Sequence, residues 1–232
     1  MIIKRLHQEI KYAVNKLDSQ NYPDLVPEMI DDVINFVQNR YVEDLVMGNN
    51  NSGYNYGFEI DRQRLDMLQT LVIPDTTLSV VSTSIISPDC IAHVFNLPEN
   101  YKHYIRFYYS NDCKFQPIDI KSHDQLNSLI KNDLTKPSLI WERAIGGIES
   151  NTLKAYIAET ISDVTIEYIK QPRNVFFGGY NTLEYDEGDS TAYNTTTQPI
   201  TSELPEQYHY LLVDLCAQEI YRRWFYPYNK DN

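Results

Sequence analysis

The feature that most constrains this chain is a hydrophobic period that changes twice. From Ile3 to Val72 apolar residues recur at three- and four-residue steps, and from Pro74 to Lys170 they alternate or gather in short β-branched and aromatic runs. From Ser202 to Phe225 the three- and four-residue step returns. A helix repeats every 3.6 residues and a strand every two, so neither pattern can serve the other element. The pattern predicts an α+β fold, with N-terminal helices and a long C-terminal helix packed with an antiparallel β-rich middle, either a sheet or a small sandwich. The expected divisions are a helical region over 1–72, a β region over 73–180 with a short helix at 122–132, an extended acidic arm or loop over 181–201, and a C-terminal helix and tail over 202–232 that return to the helical region.

The first helix carries Ile3, Leu6, Ile10, Ala13, Val14 and Leu17 on one face. The second starts near Pro27 and continues through Ile30, Val33, Ile34, Val37, Tyr41, Val42 and Leu45. Glu28, Asp31 and Asp32 lie at the positive end of its dipole, which explains them as helix polarity. These two helices are expected to form a hairpin. A third runs from about Asp61 to Leu71, with Leu65, Leu68, Leu71 and Val72 inward. The last helix is read from Ser202 to Phe225, with Pro205 in its first turn and Arg222 and Arg223 in its last. Tyr208, Leu211, Leu212, Leu215 and Cys216 make one stripe, and Val213, Ala217, Ile220 and Trp224 a second beside it, so Leu212 and Leu215 are expected in the core.

In the middle, strands are expected at Thr77–Ile86, Ile91–Leu97, Tyr104–Tyr109, Lys114–Ile120, Leu139–Ile145, Thr152–Ala158 and Asp163–Lys170. Ser122 and Gln125 read as a capping box for a short helix whose inner face is Leu126, Leu129 and Ile130. Gly146 and Gly147 read as a turn.

The chemistry-bearing residues do not converge in sequence. His7, His93, His103, His123 and His209 have no metal-ligand spacing, and Cys90, Cys113 and Cys216 are isolated and odd in number. Nucleophile-elbow and phosphate-loop patterns are absent from the 232 residues. Asp186, Glu187 and Asp189 lack the alternating ligands of a calcium loop and read as a solvated arm. The expectation is a non-enzyme with no cofactor, no metal site and no catalytic residues. A net charge of −12 opposes binding through phosphate contacts. With no apolar run of 18 residues and no amino-terminal signal, no membrane association or export is expected. Nineteen tyrosines beside eight glycines lean towards protein contacts. The candidate subunit or partner interface comprises Tyr180, Tyr185 and Tyr193 on the arm, with Trp224, Phe225, Tyr226 and Tyr228 at the carboxyl end.

Three stretches carry a family resemblance: FEIDRQRLDMLQTLV at Phe58–Val72, DVTIEYIKQP at Asp163–Pro172, and ELPEQYHYLLVDLCAQE at Glu203–Glu219. Together with the element order, these resemble the virion ring proteins of tailed phages, in particular the head-to-tail connector rings of crAss-like phages and, more loosely, podovirus adaptor or tail-tubular proteins. The resemblance implies a dodecameric ring under the portal or between portal and tail, made in the bacterial host cytoplasm and built into the virion. Its partners would be the portal protein and neighbouring ring or tail proteins, and genomic DNA would pass non-specifically through the lumen. No active-site residue is implied. The competing reading is a β-rich binding module that recognises a carbohydrate or a surface protein.

Overall fold

A computed structural model of the chain describes residues 2–17, 25–47, 66–87, 90–111, 114–178 and 199–224. In chain order the elements are α1 (Ile3–Leu17), α2 (Pro27–Met47), β1 (Val72–Ser87), β2 (Cys90–Asn96), β3 (Tyr101–Asn111), β4 (Lys114–Ile120), α3 (His123–Lys131), β5 (Ala144–Glu149), β6 (Thr152–Ile157), β7 (Asp163–Lys170) and α4 (His209–Trp224). Short 3-10 turns occupy Gln69–Leu71 and Glu206–Tyr208. The fold is α+β. It divides into a helical unit, Met1–Leu71 with Pro172–Asn232, and a β unit, Val72–Gln171.

In the helical unit, Ile3, Leu6, Ile10 and Val14 of α1 and Ile30, Val33, Ile34, Val37 and Val42 of α2 are buried, as their spacing predicts. Each helix packs more extensively on α4 than on the other, so α4 is the common partner and the expected α1–α2 hairpin is not the main contact. Pro205 lies just before the 3-10 turn in an extended conformation, and the α-helix begins only at His209. The buried face of α4 is His209, Leu212, Val213, Cys216, Ala217 and Ile220, while Leu215 is half-buried and Leu211 is 42% exposed. The two expected stripes are thus one stripe, and Leu211 and Leu215, four residues apart, form its outer margin. Of the expected third helix, one helical turn over 66–68 and the 3-10 turn are described; Leu68 and Leu71 are buried, and Val72 already belongs to β1.

The β-rich middle is a closed seven-stranded barrel in the order β1-β2-β6-β5-β4-β3-β7, a sheet closed on itself and not the alternative small sandwich. All strand pairs are antiparallel except β4 and β5, which α3 joins as a parallel crossover. β1 serves both sides of the closure, pairing with β7 over Val72–Ser79 and with β2 over Val80–Ser87. A register shift between Ile73 and Thr76 spans Pro74 and Asp75, and Asp75 takes a left-handed φ of 45°. Aspartate tolerates that region better than most residues, and its carboxylate accepts a 2.5 Å hydrogen bond from the Tyr108 hydroxyl.

Two-residue alternation fills the interior: Leu153, Ala155 and Ile157 from β6, Val164, Ile166 and Tyr168 from β7, and Phe107 and Tyr109 from β3 meet Phe95, Ile118 and Ala144. Outside, α3 sets Leu126, Leu129 and Ile130 against Cys90, Ala92, Ile145 and Tyr156. Gly146 and Gly147 do not form the expected turn. They lie within β5, where a methyl at Gly146 would meet Ile118 Cγ2 at 3.0 Å and one at Gly147 would run into Leu126. The hairpin turn comes later, at Ser150–Asn151 between the Glu149–Thr152 pair, and Ser150 has a φ of 53°. The capping box is also absent: Ser122 stands at the N-cap of α3, but its side chain makes no cap hydrogen bond.

Candidate interaction surfaces

At one end of the barrel the strand register aligns Ile85 with Ile91, Ile91 with Ile157, and Tyr156 with Ile145. This end therefore carries the outer part of the β1–β2 hairpin and the connection from α3 into β5. The strand expected over Leu139–Ile145 begins only at Ala144, and its first five residues belong to this connection. The connection is a turn. Ser138 and Arg143 exchange backbone hydrogen bonds of 3.0 and 2.9 Å, Trp141 N–H donates to Ser138 Oγ at 3.4 Å, and an Arg143 guanidinium nitrogen donates to Leu134 O at 2.8 Å. The base is fixed further by Thr135 Oγ1 donating to Leu129 O at 3.0 Å.

This bracing holds four apolar side chains in water. Ile140 is 86% exposed and Trp141 79%, with Leu134 and Leu139 exposed beside them. Val81, Ile85 and Ile86 of the neighbouring hairpin are exposed as well. A concentration of large apolar groups on a fixed tip is the composition of an interface anchor, since the ordering entropy has been met before a partner arrives. A signal was available in the sequence: Pro137 and Ser138 before the run and Glu142-Arg143 after it are turn and surface residues.

In the helical unit, polar side chains are buried and read backbone. Asp31, Asn35 and Gln38 lie at four- and three-residue steps on α2 and bind the extended segment 173–177 at alternate residues. Phe177 N–H donates to Asp31 Oδ2 at 2.7 Å, Val175 N–H to Asn35 Oδ1 at 2.6 Å, and Gln38 Nε2 donates to Arg173 O at 2.9 Å. The Asn35 amide donates back to Val175 O at 3.1 Å, and His7 Nε2–H donates to the other Asp31 oxygen at 2.7 Å. Ser202 Oγ donates to Gln38 Oε1 at 3.3 Å. Phe176 and Ile200 exchange backbone hydrogen bonds of 3.0 and 2.8 Å, so the chain leaves for the acidic segment and returns from it at one place. Asp31 was read as helix polarity; its burial and its partners make it a backbone clamp.

No protein-family model matches the chain, and no curated protein matches it. The candidate residues Tyr180, Tyr185, Tyr193, Phe225, Tyr226 and Tyr228 lie outside the described residues, as does the side chain of Trp224, whose backbone closes α4. Among the described residues no three His, Cys, Asp or Glu side chains converge as metal ligands, and no helix is long and apolar enough to cross a membrane.

Neither described free cysteine is set up as a nucleophile, since burial pushes the Cys90 and Cys216 thiols up from their ordinary range. His93 is buried and donates from Nε2 to Glu159 O at 3.0 Å, while His123 forms an exposed 2.8 Å pair with Glu149. Tyr109 bonds Gln116 within the barrel, where burial and the nearby Glu159 push its phenol up to about 12. His209 donates from Nε2 to Leu204 O at 2.9 Å and leaves Nδ1 buried without a partner; burial lowers its pKa.

Proposed function

We propose that the chain is a structural virion protein of a tailed phage, one subunit of a dodecameric ring in the portal, neck or tail connector through which genomic DNA passes. The observation that carries the reading is the braced tip with Ile140 and Trp141 in water, a surface built to meet another protein. A ring repeats one heterologous contact around its axis, so each subunit needs such an anchor. The net charge of −12 supports the lumen role, because multiplied around a ring it repels phosphates and lets DNA pass without sticking. The phage assignment itself rests on the resemblance of the three quoted sequence stretches. The portal protein and adjoining ring or tail proteins are its partners, and Tyr180, Tyr185, Tyr193, Trp224, Phe225, Tyr226 and Tyr228 supply further contacts. It is made in the bacterial host cytoplasm and ends in the virion.

Native mass spectrometry with electron microscopy of the purified chain, alone and with its portal protein, tests this reading. A closed ring is expected, and Ile140→Asp with Trp141→Ala should abolish it while circular dichroism is unchanged. An exposed indole can also stack on a sugar ring. A chain that stays monomeric and whose Trp141 fluorescence responds to glycans is a carbohydrate-binding module instead.

A further inference from the structure

The helical unit holds an open pocket between the start of α1 and the turn that leads into α4. Its volume is about 510 Å³, and Ile2, Arg5, Glu206, Gln207 and Tyr210 line it. Ile2 is 70% exposed and Tyr210 60%, so two large apolar groups stand in water at its wall. The chemistry on offer is that of an indole site. Ile2 and Tyr210 give an apolar surface, the Arg5 guanidinium can face an aromatic ring as a cation, and Glu206 and Gln207 carry oxygens that accept from an indole N–H. The volume falls in the range of roughly 300–1,000 Å³ that seats a bulky group. A second cavity, of about 340 Å³ at Ser110 and Glu159–Asp163, sets one large apolar residue, Ile161, beside two carboxylates and offers an indole little to pack on.

We propose that this pocket receives the Ile140–Trp141 tip of a second copy of the chain, so that the anchor of each subunit sits between α1 and α4 of the next. The assignment deepens the ring reading and rests on it. An anchor and a pocket on different surfaces make a heterologous contact; one such contact leaves a tip and a pocket unfilled, and closure of a ring fills them all. Charge favours the contact locally although each copy carries −12. The tip segment, residues 131–143, carries Lys131, Lys136 and Arg143 against Asp133 and Glu142, a net of +1. Residues 203–210 carry Glu203 and Glu206 with no lysine or arginine, and with Lys4, Arg5 and Glu9 of α1 the receiving side has a net of −1. Opposite signs therefore meet, which a surface paired with its own copy cannot achieve.

The test is photo-cross-linking in the assembled chain, prepared from a mixture of isotope-labelled and unlabelled copies. A benzophenone side chain at Leu139, next to the anchor, should cross-link to peptides covering residues 2–9 or 206–211 of the other copy. Gln207→Trp fills the pocket from its own exposed rim and should raise the concentration needed for assembly by about tenfold or more, with an unchanged circular dichroism spectrum. Tyr210→Asp, at a second exposed position, should do the same. Cross-links to these peptides from open chains of copies would support the contact and remove the closed ring. A closed ring whose cross-links map elsewhere, or folded pocket variants that assemble like the parent, would overturn the contact and leave the ring reading standing. A chain that stays monomeric, alone and with its portal protein, overturns both.

Discussion

The helical unit and the barrel unit depart from the ordinary rule of burial in different proportions. In the helical unit His7, Asp31, Gln38, Ser202, His209 and Glu219 are buried polar residues, most of them spent on holding other parts of the same unit. The barrel unit buries the polar His93 and Gln116, and both units expose large apolar groups: Val81, Ile85, Ile86, Phe115, Leu134, Ile140 and Trp141 in the barrel unit, and Tyr12, Phe36, Tyr210 and Leu211 among others in the helical unit. A buried polar group demands a partner with fixed geometry and so specifies an internal arrangement. An exposed apolar group on a rigid frame specifies nothing internally and is available to another molecule.

The largest expected effect is inside the barrel, where the ordinary rule holds. Phe95 is fully buried among Leu153, Ile166 and their neighbours, so Phe95→Ala should cost about 3–5 kcal/mol by denaturant unfolding. The comparison sharpens with Asp31→Ala, which strands the Phe177 N–H and His7 Nε2 in a buried site. A loss of about 1–3 kcal/mol is expected, with faster hydrogen exchange at 173–177. Negligible loss would show that the clamp is ornamental.

A smaller gain is expected in the β5–β6 hairpin. A positive φ at Ser150 but not at Asn151 is the signature of a type II′ turn, whose first central position favours glycine. Ser150→Gly should therefore stabilise by up to about 1 kcal/mol, read as a raised denaturation midpoint.

Acid separates the polar from the apolar strategy. Burial works to raise the Glu219 carboxyl, but hydrogen bonds from Arg222 and Arg223 at 2.9 and 2.6 Å, with their charges, outweigh it and hold the carboxyl below its usual range. His209 is likewise lowered, chiefly by burial. Both groups bind protons less readily folded than unfolded, so their stabilisation is complete above the ordinary pKa values and is lost as pH falls through the lowered ones. Exchange protection of α4 should decline on acidification, first below the ordinary histidine range and again below the carboxylate range. Burial raises Tyr101 and Tyr109, and the hydrogen bond to Asp75 raises Tyr108, so their contribution in the barrel is lost in the other direction, as pH climbs above about 10.

The smallest change in stability should come from the braced tip. Trp141→Ala removes a side chain that is mostly in water, and unfolding should shift by no more than about 0.5 kcal/mol. A large destabilisation would place the ring in a core and remove the contrast between the units.

The sequence by itself determined the elements whose signal is local. The bounds of α1, the start of α2 at Pro27 and the span of β4 all follow from period, proline and turn residues close along the chain. The strand expected over Asp163–Lys170 likewise has the bounds of β7. Tertiary structure decided everything that depends on what lies opposite. Leu215 is only half-buried because the neighbours of α4, not its own periodicity, set where its buried stripe ends. Gly146 and Gly147 are strand residues because Ile118 and Leu126 need the space that a side chain would fill. LIWER is a turn because Ser138 and Arg143 close it before a strand can begin, and Asp31 is a clamp because an extended segment 146 positions later in the chain passes it. Local patterns report the conformations a segment favours; closure of a barrel and pairing of distant backbone are many-body contacts, and no window along the chain contains both sides of them.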